Sequence, residues 1–277
     1  MRFGAHQGRS CLIGDGCYLD VKVASEGEFG DEPMEAFAKW SSFREWAAGQ
    51  NPREGLPYQD RDLTCPVPAP SQIFAIGLNY RDHAKESAME IPDKPMVFTK
   101  YPSSLTGPRD DIHLVPGSCD WEVELVVVIG KKVRNVDENE AVKAVAGLTV
   151  GQDVSERELQ LHGANPQFNL GKSHKSFAPL GPCVVTLDEF DNPWDLEIRC
   201  ELNNVVVQEA RTSQLLNGVP TLISYLSGIC ELRPGDLIFT GTPSGVGLGR
   251  TPPQYLDVGD LLVSTITGIG SLENRCI

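Results

Sequence analysis

The sequence predicts a β-rich α+β fold, with a barrel or sandwich core and peripheral helices. Strand-like segments predominate from Ile73 onward, and Gly, Pro, Asn and Asp separate them. Regular alternation of strand and helix is absent, which argues against a parallel α/β sheet. With 277 residues, the chain is long enough for one large domain, or for one with a small appendage.

The predicted elements follow from residue spacing. Aromatic residues at three-residue steps (Phe37, Trp40, Phe43 and Trp46) predict a packing helix near the N-terminus. The proline-rich stretch at 65–72 marks a boundary, which divides the chain into a small N-terminal region (1–70) and a main domain (71–277). Strands are predicted at 73–80, 120–130, 147–153, 182–190, 196–210, 235–242 and 259–270, and helices at 135–147 and 219–230.

Composition excludes several classes of function. The net charge of −14 and the pI of about 4.8 argue against nucleic acid and anionic membranes as partners, because phosphate binding needs a basic surface. We find neither an apolar run long enough to span a membrane nor the apolar segment of a signal peptide, so we expect a cytoplasmic protein. Eight cysteines without a CxxC pair predict idle thiols rather than a zinc site.

Two glutamates at the start of an apolar strand are the strongest chemical signal. Glu122 and Glu124 face the same side of a strand, with Cβ atoms roughly 6–7 Å apart. At that distance their charges repel by roughly 2–3 kcal/mol if the effective dielectric is about 20. The pair is either solvated, bridged by Lys or Arg, or a site for a divalent metal. Asp153, at the end of the next predicted strand, adds a third carboxylate, and such a set suits a hard cation such as Mg²⁺.

A second candidate is the pair His83 and Glu86, three residues apart in "GLNYRDHAKES". On a helix they share one face, where the carboxylate can orient the imidazole as a general base. The alternative is an incidental ion pair on a surface helix. The polar, proline-containing segment that follows, 87–100, has the composition of a loop that can move.

Two further segments contain candidate residues. Lys172, in "GKSHKS", can neutralise a developing negative charge beside the metal, although an ordinary surface lysine is the alternative. Its GKS tripeptide is not a phosphate-binding loop, because Pro166 stands where that motif needs glycine. The glycine-rich stretch 239–250 can hold a small anion with its backbone N–H groups and the Thr242 hydroxyl, or it can be a plain turn.

Seven motifs in this order resemble the fumarylacetoacetate hydrolase superfamily. They are "GLNYRDHAKE", "DWEVELVVVIGK", "VGQDVSERELQ", "GKSHKSFAPLGP", "RTSQLL", "GDLIFTGTPSGVG" and "TGIGSLENRCI", and the resemblance runs from about Ile73 to the C-terminus. It implies a fumarylacetoacetase C-terminal-like β-roll core and a homodimer. The eukaryotic fumarylacetoacetate hydrolases use a fourth metal carboxylate before the histidine. No acid matches it before Asn79, so the chain looks closer to the shorter, three-carboxylate branch.

The resemblance also implies roles for particular residues. It implies that Mg²⁺ or Mn²⁺ is held by Glu122, Glu124 and Asp153, and that His83, Glu86 and Lys172 are catalytic. It further implies substrate contacts by Arg157, Gln160 and Thr242.

The expected activity is cleavage of a C–C bond in a 2,4-dioxo acid such as an acylpyruvate, through a metal-bound enolate. The same residues could instead decarboxylate oxaloacetate or isomerise 2-hydroxyhepta-2,4-diene-1,7-dioate. A catalytically idle metal-binding β protein is the alternative of a different class.

Overall fold

The computed structural model describes residues 1–86 and 90–277. Within these residues the chain forms eighteen strands and eight α-helices. The strands are β1 (Arg2–His6), β2 (Arg9–Ile13), β3 (Cys17–Asp20), β4 (Leu56–Pro57), β5 (Leu63–Thr64), β6 (Ile73–Gly77), β7 (Met96–Thr99), β8 (Leu105–Thr106), β9 (Cys119–Asp120), β10 (Val123–Ile129), β11 (Val145–Gln152), β12 (Ser155–Glu156), β13 (Ala178–Val185), β14 (Glu197–Leu202), β15 (Val205–Arg211), β16 (Leu237–Phe239), β17 (Leu261–Ile266) and β18 (Gly270–Arg275). The helices are α1 (Val21–Ala24), α2 (Pro33–Ala38), α3 (Trp40–Ala47), α4 (Arg81–Glu86), α5 (Glu138–Val142), α6 (Arg157–Gln160), α7 (Phe168–Gly171) and α8 (Val219–Ile229).

A twelve-stranded mixed sheet dominates the fold, which confirms the predicted β-rich α+β class. Its strand order is β4-β3-β2-β1-β13-β11-β10-β16-β6-β7, with β5 and β8 paired beside β1 and β13. A four-stranded sheet, β15-β14-β17-β18, and the short pair β12-β9 complete the described strands. The path of the large sheet ends at β4 and β7 without closing, so the described residues form an open roll rather than a barrel.

Strand β10 lies between two hydrophobic cores, which explains its unbroken apolar sequence. All seven of its residues are buried. Leu125 and Val127 belong to the core shared with the four-stranded sheet, whereas Val126 and Val128 belong to the core beneath α2 and α3. Because side chains alternate along a strand, Glu124 shares its face with Val126 and Val128. The two-residue period therefore places acidic and apolar side chains on one face of one strand.

The aromatic residues near the N-terminus pack as predicted, although on two helices. Phe37, Trp40 and Phe43 are buried, and Phe3 of β1 meets their rings edge-on at centroid distances of 5.2–5.8 Å. The predicted single helix is interrupted at Lys39, whose φ of −121° and ψ of 29° are not helical. Since β1 pairs with β13, the N-terminal strands continue the sheet that contains β10. The division at residue 70 stays a prediction.

Two local predictions differ from the structure. The helix predicted at 135–147 is only the short α5, because Asp137 caps it and the chain re-enters the sheet at Val145. The loop predicted at 87–100 is partly strand, since β7 pairs with β6 and is followed by the buried Lys100. Residues 87–89 of that loop lie outside the described residues. No helix in the described chain has the length and hydrophobicity that crossing a bilayer requires.

Phe43→Ala tests whether the N-terminal helices share a core with the large sheet. Phe43 is fully buried, so its truncation should lower the free energy of unfolding by about 3–5 kcal/mol in one cooperative urea transition. The control Val23→Ala, at a side chain that is 73% exposed, should change it by no more than about 0.5 kcal/mol. A separate early transition for the N-terminal region in Phe43→Ala would contradict the shared core.

Candidate active site

Three buried carboxylates converge where β10 and β11 meet. The antiparallel register pairs Glu124 with Gly151, and the backbone N–H of Asp153 donates to the Glu122 carbonyl at 2.9 Å. Each of Glu122, Glu124 and Asp153 offers one carboxylate oxygen, and the three oxygens lie within 4.8 Å of one another. Strand period and strand pairing thus bring together the three acids that the sequence singles out.

Two lysines pair with carboxylates of this triad. Lys172 Nζ contacts Glu122 Oε2 at 2.8 Å, and Asp153 Oδ2 and the Ser155 hydroxyl each at 2.7 Å. Lys100 Nζ contacts Asp153 Oδ1 at 2.7 Å and donates to the Lys172 carbonyl. Both lysines are almost completely buried. Sequence reasoning missed Lys100, because it assigned this position to a mobile loop.

Arg157 joins the triad to a fourth buried carboxylate, Asp120. Its guanidinium contacts Asp120 Oδ2 through Nε at 2.8 Å, and Glu122 Oε1 through a terminal nitrogen at 2.7 Å. The same group donates to Gln160 Oε1 at 2.8 Å, one turn along α6. We call Asp120, Glu122, Glu124, Asp153, Lys100, Arg157 and Lys172 the charge cluster. Asp120 was also missed, although it opens the "DWEVE" motif.

The charge cluster is one positive charge short. Four carboxylates face three cations, which leaves one negative charge when all are ionised. Glu124 has no ion pair among the described residues and accepts only the Gly241 N–H, at 2.7 Å. Burial, and then the charges of Asp153 and Glu122, raise the pKa of Glu124 well above its ordinary value. The carboxylate that lacks a positive partner in the charge cluster is therefore Glu124.

The pKa values of the groups around Glu124 shift in different directions, according to the charges that each group faces. Burial disfavours the charged form of Glu122, but Lys172, Arg157 and His83 outweigh it and lower its pKa to about 2. Burial alone would lower the pKa of Lys172, yet Asp153 and Glu122 raise it above its ordinary value. Burial, with the repulsion of Lys172 added, lowers the pKa of Lys100 even though Asp153 opposes the shift.

His83 and Glu86 lie together on α4, as their spacing predicts. The His83 Nδ1 is 3.4 Å from Glu86 Oε2, and both side chains are largely buried. Asn79 fixes the start of this helix by donating to the Thr240 carbonyl at 2.7 Å and accepting from the Asn217 N–H at 2.9 Å. The imidazole is thereby held at a set position relative to the end of β16.

The glycine-rich loop binds carboxylates of the protein itself. Its N–H groups donate to Glu124 from Gly241, to Glu86 from Gly245 at 3.0 Å, and to Asp120 from Gly247 at 2.7 Å and Leu248 at 2.9 Å. A side chain at Gly247 would meet the Gln254 carbonyl at 1.8 Å, which explains the glycine. These N–H groups are therefore occupied, and the anion cradle inferred from the sequence holds internal acids.

Seven of the nine predicted site residues border one cavity of about 230 Å³. Its lining includes His83, Glu86, Glu122, Arg157, Gln160, Lys172 and Thr242, while Glu124 and Asp153 are buried within the charge cluster. The Thr242 hydroxyl donates to the Val123 carbonyl and accepts from Gln208, each within 2.9 Å, so it anchors the cavity wall to β10. The structure thus brings all nine predicted residues to one place, and their roles stay predictions.

The charge cluster fits a divalent cation. All donors are hard carboxylate oxygens, which Mg²⁺ and Mn²⁺ prefer, and a carboxylate oxygen paired with a lysine has a second lone pair to offer. The unpaired negative charge at Glu124 is what such an ion would offset. The residues that would hold it are Glu122, Glu124 and Asp153.

Comparison with known proteins gives consistent matches. Residues 72–277 match the family model described as fumarylacetoacetate (FAA) hydrolase C-terminal. The human "Oxaloacetate tautomerase FAHD2A, mitochondrial" is 41% identical over 224 residues, which cover 80% of this chain and 71% of the relative. Because that relative is named as mitochondrial, the cytoplasmic location stays a prediction.

Two solved structures are informative. A Mycobacterium smegmatis protein provisionally named HpcE is 49% identical, with a TM-score of 0.94 over 100% of this chain and 99% of that one. Maleylpyruvate hydrolase from Sphingobium sp. SYK-6, solved with a manganese(II) ion and pyruvate, is 25% identical, with a TM-score of 0.82 over 100% and 99% of the two chains.

Asp120→Asn tests the anchoring of Arg157. The change removes a charge that Arg157 and two loop N–H groups share, so the free energy of unfolding should fall by about 3–5 kcal/mol in urea titrations. The control Asp188→Asn changes an exposed carboxylate that pairs with Arg44 at 3.7 Å, and it should cost at most about 1 kcal/mol. Equal losses of unfolding free energy in the two variants would mean that Asp120 stabilises the fold no more than an exposed carboxylate does.

Glu124→Gln tests the charge deficit in protein freed of metal with EDTA. The pKa of Glu124 is raised by folding, so the parent loses stability as the pH rises above the unfolded value of 4.5, by up to about 1.4 kcal/mol per pH unit. The glutamine variant lacks this loss and should become the more stable protein in urea titrations toward pH 7. The exposed Glu45→Gln should follow the parent. Parallel profiles for Glu124→Gln and the parent would contradict the deficit.

Proposed function

Since the chain belongs to the fumarylacetoacetate hydrolase family and is an enzyme of that family, we propose that it transfers a proton at the carbon beside the keto group of a small 2-oxo acid. Keto–enol tautomerisation is the net reaction. The observation that carries the proposal is the His83–Glu86 pair at the wall of a small cavity, beside a buried cluster of charges. The human relative named as an oxaloacetate tautomerase supports this reaction class.

Glu122, Glu124 and Asp153 are the residues that would hold Mg²⁺ or Mn²⁺. When bound, the ion supplies Lewis-acid polarisation of the 2-oxo carboxylate. Lys172 orients Glu122 and Asp153, Arg157 orients Glu122, and both cations line the cavity beside them. Gln160, bonded to Arg157, borders the same part of the cavity and can donate its amide N–H to a substrate oxygen.

His83 is the proton-transfer group. With Nδ1–H directed to Glu86, the lone pair of Nε2 is free to take a proton from C3 of the substrate. The proton then returns to the substrate oxygen, so the C–H bond becomes an O–H bond and no atom is gained or lost. Glu86 fixes the tautomer of His83, because its carboxylate is itself held by the Gly245 N–H.

The charges of the cavity suit this step. The charge cluster alone carries one negative charge when all its members are ionised, which a divalent ion and one substrate carboxylate together would offset, and Glu86 adds a separate carboxylate beside His83. When His83 removes the C3 proton, its positive imidazolium balances the negative charge that develops on the substrate. Low exposure of these groups strengthens each attraction, because water does not screen them.

A second candidate is hydrolytic cleavage of a 2,4-dioxo acid, in which His83 would deprotonate a water rather than C3. The specific support is the similarity to maleylpyruvate hydrolase, whose structure contains a manganese ion and pyruvate. The two reactions share the cavity and differ in product, because only hydrolysis releases pyruvate from an acylpyruvate.

The test is a turnover screen on protein treated with EDTA and then supplied with Mg²⁺ or Mn²⁺. The enol forms of oxaloacetate and acetylpyruvate are offered, and loss of enol absorbance, pyruvate formation and CO₂ release are followed separately. We expect metal-dependent loss of the enol without pyruvate, and a decrease of about 10²–10⁴ in kcat for His83→Ala. Asp153→Ala should abolish the metal-dependent turnover.

The exposed His162→Ala is the matched control and should retain the parent rate. Pyruvate formed in step with enol loss from acetylpyruvate would replace the tautomerase proposal with hydrolysis. CO₂ released from oxaloacetate at the same rate would replace it with decarboxylation. An unchanged rate in His83→Ala would refute all three schemes.

A further inference from the structure

Strand β10 is held at its acidic end by side chains rather than by a strand on one of its edges. β16 pairs with β10 only over Val126–Val128, which leaves residues 123–125 without a described strand on that edge. At Val123, the carbonyl accepts a bond from the Thr242 hydroxyl at 2.9 Å, and the N–H donates to Gln208 Oε1 at 3.0 Å. Two side chains therefore bind both backbone groups of the residue between Glu122 and Glu124.

Gln208 joins this residue to the glycine-rich loop. Its side chain lies at the end of the site facing the four-stranded sheet, and the residue is only 1% exposed. Its amide nitrogen donates to the Thr242 hydroxyl and to the Pro243 carbonyl, each at 2.8 Å. Both amide hydrogens and the amide oxygen are thus used. One buried side chain connects the strand that carries the glutamates with the loop beside them.

A β-bulge directs Gln208 toward the site. The register pairs Gln208 with Cys200 but Val206 with Glu201, so Val207 is an extra residue in β15. A bulge changes which side chains face inward, and bulges beside active sites commonly redirect a side chain in this way. Val207 and Gln208 are accordingly both buried, although they are consecutive.

The same bulge contacts the part of the loop that holds Glu86. The Arg250 guanidinium donates to the Val207 carbonyl at 3.1 Å, and a Cβ at Gly245 would lie only 2.0 Å from that carbonyl oxygen. Gly245 also donates its N–H to Glu86 at 3.0 Å. The bulge therefore determines how closely the loop approaches β15 at the residue that holds Glu86.

We infer that Gln208 is a positioning residue of the candidate active site. It acts through Val123 and Thr242, and it fixes the distance between the carboxylates that would hold a divalent ion and the loop that holds Glu86. Gln208 is not part of the cavity lining, so it affects a bound ion or substrate only through these partners. The inference rests on the proposed function for the reaction that this geometry serves.

Gln208→Met tests the inference, because methionine has a similar length and makes none of the three hydrogen bonds. Mn²⁺ binding to the EDTA-treated protein is followed by electron paramagnetic resonance, and kcat for enol loss is measured at saturating Mn²⁺. We expect the Kd for Mn²⁺ to rise, and kcat to fall, by about 10–100-fold each, as is typical when a partner of a metal-holding group is removed. An unchanged Kd, or no binding of Mn²⁺ by the parent, would overturn the inference.

Gln72→Met is the matched control. The Gln72 amide also makes two hydrogen bonds, to the Glu231 carbonyl at 2.9 Å and to Asp236 Oδ2 at 2.8 Å, but these lie at the opposite end of β16 from Thr242. Both variants should lose free energy of unfolding in urea titrations, whereas only Gln208→Met should lose affinity for Mn²⁺. Equal losses of affinity would show a general effect of destabilisation and overturn the role of Gln208.

Thr242→Val decides the inference even if Gln208→Met does not fold, because it keeps the branched shape and removes only the hydroxyl. Alone it should raise the Kd for Mn²⁺ by about ten-fold. The double variant should bind Mn²⁺ within about two-fold of Gln208→Met, because both residues act through Val123. A parent-like Kd for Thr242→Val, or a double variant whose loss equals the product of the two single losses, would overturn this route.

Binding and turnover separate this inference from the proposed function. If the parent binds Mn²⁺ but does not convert the enol of either 2-oxo acid, the proposed function fails. A weaker binding of Mn²⁺ by Gln208→Met, with parent-like binding by Gln72→Met, would still support the positioning role. If the parent is active and Gln208→Met has the same Kd and kcat, the inference fails while the proposed function stands.

Discussion

The interaction on which the rest of the site depends is the bonding of buried acids to buried cations at the end of β10. Moving several charges out of water costs free energy unless each charge is paired. Removing one residue of a pair leaves its partner as an unpaired charge in the low-dielectric interior. Asp153 illustrates the arrangement, because one of its oxygens is held by Lys100 and the other by Lys172. Glu124 is the exception, and that exception makes the cluster suited to a divalent ion.

The glycine-rich loop couples this cluster to the proposed base. It donates one N–H to Glu124, one to Glu86 and two to Asp120, so a single backbone segment contacts the triad, the His83 partner and the Arg157 partner. Glycine is required in this loop because a side chain would collide with neighbouring residues. At Gly249, for example, a Cβ would lie 2.3 Å from Glu86. The position of His83 is therefore tied to the position of the acids, although α4 and β10 are distant in sequence.

The sequence predicted the parts of this arrangement that have a short-range pattern. Glu122 and Glu124 are two residues apart on a strand, and His83 and Glu86 are three apart on a helix, so local geometry brings each pair together. Asp153 could be placed because β11 follows β10 and pairs with it. Lys100 and Asp120 could not, because each acts through a partner more than thirty residues away, and their own neighbours give no periodic signal. The boundary between α5 and β11 was missed for a related reason, since an apolar run near Val145 suits a buried strand as well as a helix.

The same register determines both the core and the chemistry. Val126 and Val128 enter the core beneath α2 and α3, and Glu124 points to that side because the strand alternates. A shift of one residue in the pairing of β10 would move the two valines out of their core and turn both glutamates away from Asp153. The energy that opposes this shift comes from the fully buried apolar residues, which far outnumber the acids. Hydrophobic packing thus holds the carboxylates close together against their own repulsion, and it does so whether or not an ion is bound.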